Sequence, residues 1–212
     1  MEARIESVLS QNITLLYERL DLQTIDRNKL RGLFDAQSPP MVIDLPGTLV
    51  VTYPVPPLFV QMGENRIRVT FPQSATELGP MPLWSVAAKA DALTPNAPSL
   101  LTAVGFNYAL LLHTSHAKER VGELFIADRA RIEEARQGQL DFVAPRVVYR
   151  RGDTRYELLL EPVEEHGLKA HLNAHLTVHG TGLPQAQQLE ASYRQEYAYL
   201  AGALPAPLQQ AG

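Results

Sequence analysis

The chain has 212 residues, 45% of them apolar, no cysteine and a formal charge of −4. That much apolar material can build a sizeable core; the lack of cysteine excludes disulfides, thiolate metal sites and cysteine nucleophiles, and suits a reducing compartment, the cytoplasm by default. Residues 1–6 lack a basic start leading into an apolar run, no segment reaches the ~20 apolar residues of a membrane span, and the acidic balance does not favour a polyanion as partner of the molecule as a whole.

In chain order, alternation through Ile13, Leu15 and Tyr17 predicts a strand over residues 12–19, while Ile5, Val8 and Leu9 upstream suit a helix as well. Thr24 can cap a short helix over 25–34 with Ile25, Leu30, Leu33 and Phe34 as its buried stripe, ended by Ser38-Pro39-Pro40. The interval 41–71 is strand-rich and broken by proline at Pro54, Pro56 and Pro57. Proline donates no ladder hydrogen bond, so this part is expected at an edge or in exposed loops. Met62-Gly63-Glu64-Asn65 supplies the turn of a hairpin between 58–61 and 66–71.

After a loop, an alanine-rich helix is expected over 82–93, and then a long strand over 101–113 with Val104, Phe106, Tyr108, Leu110 and Leu112 on one face. Gly105 inside that strand suggests a bulge or a close backbone approach. Ser115 can cap a helix running toward Gln137, which Asp128 could restart midway. Residues 146–150, a turn at Arg151-Gly152-Asp153, and the segments 155–161 and 168–179 read as three further strands. The last helix starts near Pro184 and buries Leu189, Tyr193, Tyr197 and Leu200, before Pro205 stops it.

The segment 168–179 has the clearest pattern. Leu168, Ala170, Leu172, Ala174, Leu176 and Val178 face one way; Lys169, His171, Asn173, His175, Thr177 and His179 face the other. A period of two over a dozen residues describes a sheet with one dry and one wet face. The expected fold is therefore α+β: a predominantly antiparallel sheet of hairpins backed by helices, closed by a C-terminal amphipathic helix. One domain over 1–204 and a flexible tail over 205–212 are expected.

Two groups of side chains are candidate binding sites. His171, His175 and His179 recur every fourth residue; on a strand each step spans ~13 Å, too far for two imidazoles to share an ion, whereas a helix would stack them within ~6 Å. The strand reading therefore calls for no metal and no cofactor. In the helical alternative a metal-dependent enzyme would use these three, with His113 and His116 as further ligands. On a strand, the three histidines could instead form a pH-responsive interface with a second copy of the chain. The second group, Arg146, Tyr149, Arg150, Arg151 and Arg155 with Tyr156, mixes guanidinium groups with aromatic rings as nucleic-acid surfaces do. Alternation separates Arg150 from Arg151, and Glu157 follows on the face of Arg155, so a continuous phosphate track does not form. Arg151-Gly152-Asp153 is turn chemistry. No nucleophile elbow, phosphate-cradling loop, dinucleotide fingerprint or helical zinc-protease pattern is present, and Glu164-Glu165-His166 falls in a hairpin connection.

The run from Val60 to Ile67, followed by Val104-Gly105-Phe106-Asn107-Tyr108, a late sheet and a closing amphipathic helix, resembles a sporadically distributed bacterial family of uncharacterised function. Asn107 stands where that family has arginine. The architecture is also similar to export-chaperone-like sheet-and-helix folds. The resemblance implies a fold and no reaction. The expected function is non-enzymatic protein binding or assembly, chaperone-like or accessory, through an exposed sheet face or edge, with a protein partner or a homo-oligomer. A nucleic-acid-binding accessory protein using the 146–155 hairpin is the alternative.

Overall fold

Segments that alternate apolar and polar side chains can pair only if the apolar sides meet a common cover. The computed structural model, which describes residues 4–72, 83–94, 101–178, 183–184 and 186–203, contains nine such segments. They are β1 (Arg4–Tyr17), β2 (Met41–Leu45), β3 (Thr48–Pro54), β4 (Pro57–Gly63), β5 (Arg66–Pro72), β6 (Leu101–His113), β7 (Arg146–Arg151), β8 (Thr154–Val163) and β9 (Gly167–Thr177). All pair antiparallel in one sheet of order β2-β3-β4-β5-β1-β6-β9-β8-β7. The helices are α1 (Arg27–Leu30), α2 (Leu83–Asp91), α3 (Ala117–Phe125), α4 (Arg129–Arg136) and α5 (Ala186–Ala203). This is the α+β architecture expected from the sequence. Among the described residues no helix is long and apolar enough to cross a membrane.

The core lies on one side of the sheet. Register carries Leu15, Ile67, Val104 and Leu176 into one cross-strand row, and Ile13, Val69, Phe106 and Ala174 into the next. α2 and α5 cover these rows. Leu189, Tyr193, Tyr197 and Leu200 of α5 are all buried, as their spacing predicts. The Tyr193 ring meets Trp84, Phe106 and Tyr108 at 5.8, 5.4 and 5.3 Å between centroids. Its hydroxyl donates to the buried Gln11 Oε1, and the Tyr108 hydroxyl donates to the Tyr193 carbonyl at 2.8 Å. A second cluster fixes the far end of α5: Glu196, 6% exposed, accepts from the Tyr156 hydroxyl at 2.7 Å and from Arg151 Nη2 at 3.3 Å.

Several expectations are corrected. The first strand begins at Arg4 rather than Asn12, because register shifts between Ile5 and Ser7 and between Val8 and Ser10 break the alternation there. The helix expected over 25–34 shrinks to α1, since Asp26 rather than Thr24 caps it and Thr24 Oγ1 donates to the Asp21 carbonyl instead. Gly105 lies in unbroken register opposite Thr14 and His175, without a bulge. A Cβ added there would meet its nearest atoms, Asn107 Nδ2, Asn173 Oδ1 and Thr14 Cβ, at ordinary distances of 3.7 to 3.8 Å, so no close backbone approach demands glycine. Of the two places expected for the prolines the exposed loop is the one found: Pro54 and Pro57 face each other at the exposed β3–β4 connection, between strands that lie inside the sheet order and not at its edge. Ser115 does not cap the helix that follows, since His116 holds the position before α3; the restart at Asp128 occurs as expected, its carboxylate accepting from Arg131 N at the start of α4. The region after residue 203, including the expected tail, lies outside the described residues.

Candidate binding face

Because residues directly opposite in a ladder share a face, the register also defines the side that the helices leave bare. One row runs Met41, Thr52, Phe59, Thr70, Asn12, Asn107, Asn173, Glu157, Val148. The next runs from Ile43 through Arg68, Thr14, Gly105 and His175 to Arg155 and Arg150. Among the described residues no helix covers these rows.

The charges on this open face are lopsided. Arg4, Arg66, Arg68, Arg146, Arg150, Arg155 and Lys169 occupy it against Glu157 and Glu161, in a chain whose total charge is −4. Glu157 is spoken for: Oε1 lies 2.7 Å from Arg146 Nη2 and Oε2 lies 3.7 Å from Arg155 Nη2. Its hydrogen bond from Arg146, with the charges of Arg146 and Arg155, holds its carboxyl below the usual range. Arg68 has no such partner among the described residues. Its Nε donates to Thr14 Oγ1 at 3.4 Å, and burial together with the neighbouring charge of Arg66 lowers its affinity for the proton. At the β2 side the same face turns apolar, with Met41, Ile43, Leu45 and Phe59 exposed.

At the centre, Asn12, Asn107 and Asn173 stand side by side across β1, β6 and β9. Asn107 Nδ2 donates to Asn12 Oδ1 at 2.8 Å, and Thr14 Oγ1 donates to the same oxygen at 3.2 Å. Asn173 Oδ1 is buried without a hydrogen-bond partner among the described residues. These amides, with Ser10, Ala109, His171 and the Arg68 side chain reaching over β1, line a depression of about 310 Å³ whose opposite end is formed by Glu157 and Leu159. The small side chain of Ala109, placed between Ser10 and His171, leaves the space open.

The residues singled out in the sequence are distributed as follows. His171 and His175 lie on this face, four positions apart on one strand, so the helical arrangement that would gather them round an ion does not arise. His179 lies outside the described residues. Burial, reinforced by Arg155, lowers the His175 pKa. His113 and His116 gather instead with His166 at the end of the β6–β9 ladder, ring centroids 5.9 and 6.4 Å from it. Among the described residues no group of three histidine, aspartate or glutamate side chains is placed to hold a metal ion. The basic hairpin divides between faces. Arg146, Arg150 and Arg155 are on the open side, whereas Tyr149 stacks on Tyr156 at 4.9 Å beneath the helices, and Arg151 lies 3.8 Å over the Tyr199 ring and bonds Glu196. Asn12 and Arg68 drew no attention in the sequence, and Asn107 and Asn173 stood out only as a departure from a family pattern and as part of a wet face; single polar residues at alternate strand positions carry no local signal of a row.

The chain matches no protein-family model and no curated protein sequence.

Proposed function

We propose that this is a non-catalytic binding protein that docks an acidic, partly apolar segment of a partner protein on the open face of the sheet. The observation that carries the reading is the concentration of seven arginine and lysine side chains against two glutamates on one bare face of an acidic chain. A surface of that kind attracts and orients an anionic partner. The exposed Met41, Ile43, Leu45 and Phe59 add an apolar half, and a partner that covers both halves needs acidic and apolar groups together. Edge pairing is less suited. β2 has five residues between Pro40 and Pro46, and β7 carries Arg146, Arg150 and Arg151, both devices that blunt strand addition. A nucleic acid is less suited too, because Tyr149 and Tyr156 are turned away from the exposed arginines and offer no stacking platform beside them.

The test measures retention of the purified protein on immobilised short peptides of leucine and glutamate, on the same peptides with glutamine for glutamate, and on single-stranded DNA, as salt is raised. The expected result is retention on the acidic peptides alone, lost in the double variant Arg150→Glu, Lys169→Glu. Preferential retention on DNA, or equal retention on the glutamine peptides, overturns the reading.

A further inference from the structure

We propose that the Arg68–Asn12 end of the central depression seats one side-chain carboxylate of the partner's acidic segment, and that the asparagine row beyond it receives the segment's backbone. The inference rests on the docking reading above and adds the point at which the partner is registered on the face.

A chain of hydrogen bonds fixes which atoms are on offer. Arg68 Nε is committed to Thr14 Oγ1, whose own proton goes to Asn12 Oδ1. That oxygen also accepts from Asn107 Nδ2, so two donors fill it and set the orientation of the Asn12 amide. What remains is the Asn12 NH2 group and the two terminal nitrogens of the guanidinium, donors with no acceptor among the described residues. Donors converging beside an uncompensated positive charge suit a carboxylate, whose two oxygens accept from guanidinium and amide at once. Glu157 does not compete. It is bound by Arg146 and Arg155 and stands four strands from Arg68, roughly 19 Å at ~4.8 Å per strand.

From that corner the row of amides leads across β6 to β9, about 10 Å at the same spacing. Asn173 Oδ1, buried and without a donor among the described residues, is an acceptor open to an N–H. Peptide groups supply donors and acceptors at intervals of ~3.5 Å, so a segment lying across the strands, its acidic residue at Arg68, can satisfy the row in turn.

The decisive variant changes no charge. Ala109→Ile fills the depression between Ser10 and His171 with a side chain that suits a strand, and leaves every arginine in place. Binding of a fluorescent leucine–glutamate peptide is followed by anisotropy for the native protein, Ala109→Ile, Arg68→Met and Arg68→Lys, each first shown to keep its circular-dichroism spectrum and cooperative thermal transition. The seat predicts weakening of about tenfold or more in Ala109→Ile and Arg68→Met, with partial recovery in Arg68→Lys, which keeps the charge but not the fork. Unchanged binding in Ala109→Ile overturns the seat and leaves the docking face standing, since diffuse attraction does not depend on that space. No binding of the peptide by the native protein overturns both. Should Ala109→Ile fail to fold, Arg68→Met against Arg68→Lys decides: loss in Arg68→Met with only partial recovery in Arg68→Lys supports the forked contact, and full binding by Arg68→Lys, or no loss in either, removes it.

Discussion

His175 shows how one side chain on the open face couples charge to stability. It stands opposite Arg155 in the β8–β9 ladder, and burial, reinforced by that arginine, lowers its pKa from the ordinary 6.5. The native protein therefore binds its proton less readily than the unfolded chain does. The stabilising contribution is complete above about pH 6.5, the unfolded value, and is lost as pH falls below it through the native one. His175→Gln is expected to flatten this part of the profile: its urea midpoint should change less than that of the native protein between pH 7 and pH 5, with the two closest at neutral pH. A variant with the same acid slope as the native chain would assign the loss to other groups.

At the scale of elements, α5 is held by polar contacts as well as by its apolar stripe. Glu196 joins it to β7 and β8 through Arg151 and the Tyr156 hydroxyl. Glu196→Ala would leave the buried Tyr156 hydroxyl without its acceptor, and a stranded buried donor costs about 1–3 kcal/mol; Arg151 is 42% exposed and adds less. A loss of about 2 kcal/mol is expected in urea unfolding. Glu196→Gln, which keeps an acceptor oxygen, should lose less than half of that. This helix was also among the most legible parts of the sequence, because Leu189, Tyr193, Tyr197 and Leu200 form one stripe that any cover must bury. β6 was equally plain, its bounds and apolar face following from thirteen alternating residues. β1 was not, for the shifts at Ile5–Ser7 and Val8–Ser10 erase the period in the segment where it would have been read.

Across the whole molecule, charge is sorted by face rather than spread evenly. Attraction between exposed charges decays over about 8 Å at physiological ionic strength and about 3 Å at 1 M salt. Raising salt from 0.05 to 0.5 M is therefore expected to weaken binding of an acidic partner mainly by slowing association, measurable by stopped-flow fluorescence. A dissociation rate that carries the whole effect would place the salt-sensitive energy in close ion pairs of the bound complex instead of in long-range attraction.

Local pattern decided what kind of object this chain forms. Period-two runs, proline and glycine punctuation and one amphipathic helix specify antiparallel strands with a single dry side, because each signal needs only neighbouring residues to express it. The binding face was decided elsewhere. Asn12 and Asn107 are 95 positions apart and meet through a 2.8 Å bond, Arg68 joins them from a third strand, and Arg151, which alternation turns to the other side, finds its partner there in Glu196 of α5. Which polar side chains become neighbours depends on strand order and register, and those are set by how the apolar sides pack together, a property of the assembled sheet that no single stretch of the chain contains.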